Sequence, residues 1–271
     1  MKLATIIAGL MLVVSGDAIR AREPTRTRPG GLRVPSSGEP SASVGAVHHG
    51  RLVHPAVLTS TSTMRVRDGA NFGTQELVTV ISRAVAAVNA RFPKTPVLTV
   101  GDLSREGGGF LSGHQSHQAG RDADLGFYMA DGRARRTFEK ATPKSIDAAR
   151  MWTLLEAMLD SGELEYAFIA YPLQKPIYEY ARDVAKVSEA RLAYYFQYPR
   201  KVSERVGIIR HIPNHANHLH VRVHARRSVA RGEAWAAARP AVARQVAARG
   251  RGGRTQVHEG RRVGLARARP R

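Results

Sequence analysis

The 271-residue chain contains no cysteine. Disulfides and cysteine-ligated zinc are thereby excluded, while the compartment stays open, because exported proteins can do without disulfides. Acidic residues are scarce: 22 Asp plus Glu stand against 42 Lys plus Arg, a formal net charge of +20. Apolar residues make up 43%, slightly below the usual range, so part of the chain is expected not to pack. The apolar run from Leu3 to Val14 falls short of the roughly 20 residues that a membrane-spanning helix needs. No internal repeat is present.

What is there divides unevenly. Met1-Lys2, the apolar run and the small residues Ser15-Gly16-Asp17-Ala18 read as a secretory signal over 1–18, cut after Ala18. Residues 19–43 are rich in Pro, Gly, Ser and Arg and read as a flexible linker. Folding signals begin near Val44 and end near His224. From 225 to 271 there are 13 Arg, no Lys and two Glu, a net +11. Leu and Ile nearly vanish there, so this tail is expected to be disordered. More than half of the excess charge thus sits on a tail. A basic tail fits an anionic wall or membrane surface, and argues less for nucleic acid than an evenly basic fold would.

Within 44–224 the patterns alternate between helix and strand. Leu77, Ile81, Val85 and Val88 share one helix face over 74–92. Val97–Val100 is a short β run. Ser145 to Leu159 predicts a helix with Ser145 as N-cap and an apolar face of Ile146, Trp152, Leu155 and Leu159. Glu165 to Tyr171 reads as a strand ended by Pro172, Ser188 to Phe196 as a helix, and Val206–Ile212 and His218–Val223 as strands. Strands scattered between helices without regular alternation predict an α+β domain, its sheet mostly antiparallel and flanked by helices.

Two clusters carry chemistry. Residues 112–127 read SGHQSHQAGRDADLGF, and residues 211–224 read HIPNHANHLHVRVH. In an extended His218–Val223, Leu219, Val221 and Val223 face one side while His218, His220 and Arg222 face the other. Asp122 and Asp124 likewise share one face of an extended Asp122–Phe127, opposite Ala123, Leu125 and Phe127. Neutral imidazole and carboxylate suit zinc, and three protein ligands with one open position make a catalytic rather than a structural site. Alternation alone leaves both aspartates open as ligands. His48, His49, His54 and His258 read as ordinary surface or capped histidines.

His117 and Asp124 enclose six residues, and His218-Leu219-His220 is an H-x-H. This pair resembles the zinc signature of lysostaphin-type peptidases, D-Ala-D-Ala peptidases and the hedgehog signalling domain. GDLSREGGG (101–109), SGHQSHQAGRDADLGFY (112–128), RHIPNHANHLHVRV (210–223), the helix with Asp147, Arg150 and Trp152, and EYAFIAYPLQ more closely resemble the penicillin-insensitive murein endopeptidases. The resemblance covers roughly 43–224. It implies one zinc ion held by His117, Asp124 and His220 on the sheet face, His218 as general base, and His114 and His215 as further active-site histidines. His215 would help to stabilise the oxyanion, and His114 would bind substrate. Asp122 then becomes a supporting residue. It further implies hydrolysis of D-alanyl–diaminopimelate cross-links of peptidoglycan in the periplasm. Arg105, in the loop before the first cluster, is a candidate partner for a substrate carboxylate. Two alternatives remain: a D-Ala-D-Ala carboxypeptidase or dipeptidase on the same fold, and a non-catalytic wall-binding basic protein. The family can carry disulfides that this chain lacks, and the resemblance does not reach the tail.

Overall fold

The computed structural model describes residues 32–33 and 38–252. The expected signal segment, much of the expected linker and the chain beyond 252 lie outside the described residues. The strands are β1 (Leu32–Arg33), β2 (Ala42–Ala46), β3 (His49–Val53), β4 (Ala56–Leu58), β5 (Met64–Val66) and β6 (Phe72–Gly73). Helix α1 (Gln75–Arg91) follows, then β7 (Leu98–Val100), β8 (Asp122–Leu125), α2 (Ala148–Asp160) and β9 (Leu164–Phe168). The chain continues through α3 (Tyr171–Asp183), α4 (Glu189–Tyr195), β10 (Ile209–Arg210), β11 (Leu219–Val223), α5 (Arg226–Ala237) and α6 (Pro240–Gly252).

The main sheet has six strands in the order β10-β9-β11-β8-β7-β5. Its three central pairs are antiparallel and its two outer pairs parallel. Two small antiparallel sheets, β1-β4-β6 and β2-β3, stand beside it. This is the expected α+β architecture. Residues Ala123, Leu125, Leu219, Val221 and Val223 turn one face of β8 and β11 into a core shared with Leu77, Ile81, Val88, Trp152 and Leu155 of α1 and α2. Each such fully buried large side chain contributes roughly 1.5–3 kcal/mol relative to exposure. Period-two alternation then forces Asp122, Asp124, His220 and Arg222 onto the opposite face.

Local signals account for most helix starts. Thr74 caps α1, its hydroxyl accepting from Leu77 N at 3.3 Å. Ser188 caps α4 as expected. The start of α2 falls later than expected: Asp147, not Ser145, is the N-cap, because its carboxylate accepts from Arg150 N at 3.0 Å. The Ser145 hydroxyl is instead engaged in a turn with Thr142 N at 2.8 Å. Helix α3 was missed. The expected strand stops at Phe168, and Pro172, taken as a terminator, sits in the first helical turn, where a missing N–H costs nothing.

The larger departure concerns 225–252, expected as disordered and observed as α5 and α6. Apolar burial does not hold α5; a buried polar cluster does. Glu76, in the first turn of α1, accepts from Ser228 N at 3.0 Å and Ser228 Oγ at 2.6 Å. Ser228 Oγ also meets Ser41 Oγ at 2.9 Å, and Arg231 Nε donates to Ser41 O at 2.6 Å. Small residues allow the approach: a Cβ added at Gly232 would lie 1.9 Å from Ser43 O on β2. Folded structure therefore enters the expected linker, with β1 paired to β4 and β2 starting at Ala42, and continues past His224. Among the described residues no helix is long and apolar enough to cross a membrane.

Gly232→Ala is expected to separate α5 from β2 and to cost about 1–3 kcal/mol or more, the range for overpacking a filled contact. Urea unfolding of the full chain measures it; an unchanged midpoint would contradict the docking of α5.

Candidate metal centre

The site lies where β8 and β11 pair. Their register sets His220 opposite Asp124 and Arg222 opposite Asp122, so one imidazole falls between two carboxylates. Asp122 Oδ1 lies 2.9 Å from His220 Nε2, and Asp124 Oδ1 lies 3.0 Å from His220 Nδ1. Both aspartates are almost wholly buried, at 0% and 3% exposure, where an unpaired carboxylate would be costly. Asp122 is also bonded by Arg222 Nε at 2.7 Å. Burial alone would raise the Asp122 pKa, but the hydrogen bond from His220, the His220 charge and Arg222 outweigh it and hold it down at about 2. Asp124 is likewise held well below the usual carboxylate range, its burial outweighed by His117 and His220.

His117 arrives from the loop before β8 in the left-handed region, φ +67°, unusual for a non-glycine residue and found where a site demands it. Three contacts hold it there. Ser104 Oγ donates to its carbonyl at 2.6 Å, its own N–H reaches Asp122 Oδ2 at 3.4 Å, and its Nδ1–H donates to Leu103 O at 2.6 Å. The last fixes the tautomer and leaves the Nε2 lone pair facing inward. Nε2 lies 3.4 Å from Asp124 Oδ1 and 3.3 Å from His220 Nδ1.

His117 Nε2, Asp124 Oδ1 and His220 Nδ1 thus form a triangle with edges of 3.4, 3.0 and 3.3 Å. A tetrahedral metal with bonds of about 2.0–2.1 Å sets its ligand atoms about 3.3 Å apart. Asp124 Oδ1 itself is buried and has no hydrogen bond of acceptable geometry among the described residues. The donor set therefore fits a zinc-type ion. A second grouping, His114, His117 and Asp124, gathers its donor atoms only within 4.8 Å. His114 Nε2 is engaged with Asp102 Oδ2 at 3.0 Å, and its Nδ1 lies 3.6 Å from Asp124 Oδ2. The tighter triangle with His220 matches tetrahedral geometry better, and His114 borders it.

The other candidate histidines divide between the rim and elsewhere. His218 Nε2 is 3.6 Å from Asp124 Oδ1, and its Nδ1 is 2.8 Å from Asn217 Oδ1. Burial pushes its pKa down to about 4. His215 packs 4.9 Å from His218 between ring centroids, and its Nδ1–H donates to Pro213 O at 2.8 Å; burial lowers its pKa as well. His211 serves the fold, accepting from Tyr171 N at the start of α3. Arg105 is not brought to the cluster. It is exposed, its guanidinium 3.4 Å from Phe110 O, on the rim of an open cleft of about 590 Å³ with Gly69, Phe72, Glu106 and Phe110.

Sequence reasoning missed Asp102 and the aromatic walls. Phe168, the last residue of β9, lies 5.3 Å from His220 and 6.0 Å from His215, and Phe138 stacks 5.3 Å from His218. Strand alternation in EYAFIAY could have flagged Phe168, whereas the loop carrying Phe138 has no periodic signal.

Two buried carboxylates and inward-facing imidazoles of this spacing make a candidate mononuclear metal centre with further histidines on its rim. Residues 43–168 match the family model for penicillin-insensitive murein endopeptidases. The match takes in His114, His117, Asp122 and Asp124. No curated protein matches the chain.

Burial lowers the His220 pKa, but the hydrogen bond with Asp122 and the charges of Asp122 and Asp124 more than offset this and raise it to about 9. Without metal the ring is therefore a cation at neutral pH. A raised folded-state pKa gives stability that is complete below the unfolded value of about 6.5 and is lost as pH rises through the folded one. The chelated protein should lose thermal stability from pH 6.5 to 9. Zinc, taking the place of the proton, should remove that slope. Melting curves with chelator and with zinc test this; a chelated protein equally stable across the range would contradict the caged imidazolium.

Proposed function

We propose that this domain is a zinc peptidase that hydrolyses D-alanyl–diaminopimelate cross-links of peptidoglycan outside the cytoplasm. The observation that carries the metal reading is the 3.0–3.4 Å triangle of His117 Nε2, Asp124 Oδ1 and His220 Nδ1. Those three residues are the ligands. Asp122 stands behind His220 on its other nitrogen, orienting the ring and raising its basicity. A zinc ion held there supplies an activated water near neutral pH and a Lewis acid for the scissile carbonyl.

The chain's own residues do the rest. His218 is neutral at physiological pH because it is buried, and its Nδ1 is turned to Asn217, so Nε2 is free to take the proton of the attacking water. His215 commits Nδ1 to the Pro213 carbonyl, leaving Nε2 for the substrate. Once protonated, that nitrogen can donate to the developing oxyanion or to the leaving amine. His114, oriented by Asp102, borders the Asp124 side and contacts bound peptide. Arg105 would meet a substrate carboxylate from the rim of its cleft. No serine or cysteine nucleophile takes part, so β-lactams should leave the activity intact. The periplasm follows from this substrate together with the signal read at 1–18, and the basic tail would hold the enzyme near an anionic wall or membrane surface.

His220→Ala should lose bound zinc and activity together. His218→Ala should keep zinc and lose turnover by about 100-fold or more, the range for a general base. Both are read by metal analysis and by mass spectrometry of purified cross-linked muropeptide dimers after digestion. Monomers still released after chelation would overturn the zinc reading. Loss of a terminal D-alanine with the cross-link intact would assign a carboxypeptidase instead.

A further inference from the structure

We propose that Phe138 is a positioning residue that holds the His218 imidazole in place through a ring stack. The proposal rests on the reading of His218 as the proton acceptor. The two ring centroids are 5.3 Å apart and the planes are inclined by only 18°. His218 otherwise has one in-plane tether, Asn217 Oδ1 on Nδ1, and a tilted neighbour in His215 at 48°. A single hydrogen bond leaves the ring able to tilt about it. A flat apolar surface against one face removes that freedom.

Phe138 lies in the irregular segment between β8 and α2, yet its position is built. The Arg135 carbonyl accepts from Arg65 Nη1 at 3.1 Å and from Thr99 Oγ1. The Arg135 guanidinium bridges Asp131 and Glu139, each at 2.7 Å. Ala141 N donates to Ala216 O at 2.8 Å, tying the same segment to the loop that carries His215 and His218. The ring itself enters a gap left by glycine. A Cβ added at Gly101 would lie 2.6 Å from Phe138 Cζ and 2.9 Å from Cε2, and one at Gly126 would lie 3.7 Å from Cδ1. Gly101 has no positive φ; what demands a glycine there is the approach of the Phe138 ring. Strand β7, the Gly101 turn, the Arg135 staple and the Ala216 contact thus converge on the face of one histidine.

The test compares the zinc-loaded full chain with Phe138→Ala, Phe138→Leu, Phe138→Tyr and Gly101→Ala. It reads kcat and KM on cross-linked muropeptide dimers and zinc per chain. It also reads the rate at which diethylpyrocarbonate modifies His218, mapped by mass spectrometry. Loss of the stack should lower kcat about tenfold or more, as small misplacements of a catalytic group do, with KM within about twofold. Zinc content should not change, and His218 should be modified faster. Phe138→Leu keeps apolar volume without a flat ring and should behave like Phe138→Ala, so the test survives if the alanine variant does not fold. Phe138→Tyr keeps the ring and should retain wild-type behaviour. Gly101→Ala displaces the ring without altering it and should follow Phe138→Leu. Wild-type kcat and unchanged His218 modification in Phe138→Leu would overturn the proposal, as would loss of zinc as the sole effect. If the wild-type protein cleaves no dimer, the peptidase reading fails, and the modification rates still decide what Phe138 does to His218.

Discussion

The arrangement of the site depends on one imidazole caught between two buried carboxylates. Asp122, His220 and Asp124 are joined across the β8–β11 pair, and neither aspartate could be buried there unpaired, since the effective penalty runs to several kcal/mol per ion. The pairing register is therefore strongly specified. A shift by one residue would send both aspartates into the apolar core and Ala123 and Leu125 out of it. Without metal the ring between them is a cation, and under the proposed function the nitrogen that faces Asp124 is the one that would hold the metal. One piece of backbone pairing thus fixes the fold's central strands and the geometry of the candidate metal centre.

His218 and His220 sit two residues apart on the same face, yet their surroundings push them in opposite directions. His220 has a carboxylate on each nitrogen and is raised to about 9. His218 has a neutral amide on one nitrogen, and burial takes it down to about 4. Opposed shifts of this kind separate roles within a site. An H-x-H in the sequence cannot carry that distinction, because it lies in the cross-strand neighbours: His220 pairs opposite Asp124, while His218 precedes the strand and meets Asn217 and Phe138.

What was legible follows from the range of the interactions. Helices α1 and α4 and the faces of β8 and β11 come from local periodicity and caps, and these were read from sequence. Alternation put Asp122 and Asp124 on one face and could go no further. The structure shows why: both touch the same ring, Asp122 at Nε2 and Asp124 at Nδ1. Helix α3 was hidden by Pro172, which reads as a terminator but is tolerated in a first turn. Helix α5 was hidden because Ser228 and Arg231 order it through polar contacts to Glu76 and Ser41, more than 150 residues away for Glu76, while Gly232 lets it approach Ser43. Composition sees only missing leucine there. The Phe138 stack and the Asp102–His114 pair rest on loop geometry, which has no period to detect.

The same long-range contacts bear on where the functional unit ends. The family match stops at Phe168, but its strands do not complete a sheet. Strand β11, at Leu219–Val223, lies between β8 and β9 and is hydrogen-bonded to both. The two matched strands are neighbours only through a strand that comes some fifty residues after the match ends. That strand brings His220, and the turn before it brings His215 and His218. Directly after β11, Ser228 on α5 binds Glu76 at the start of α1, so the chain leaving the site is anchored to the helix beneath it. The unit that builds the candidate centre therefore extends from β2 through α5, and the matched segment alone carries His117 and Asp124 but not His220.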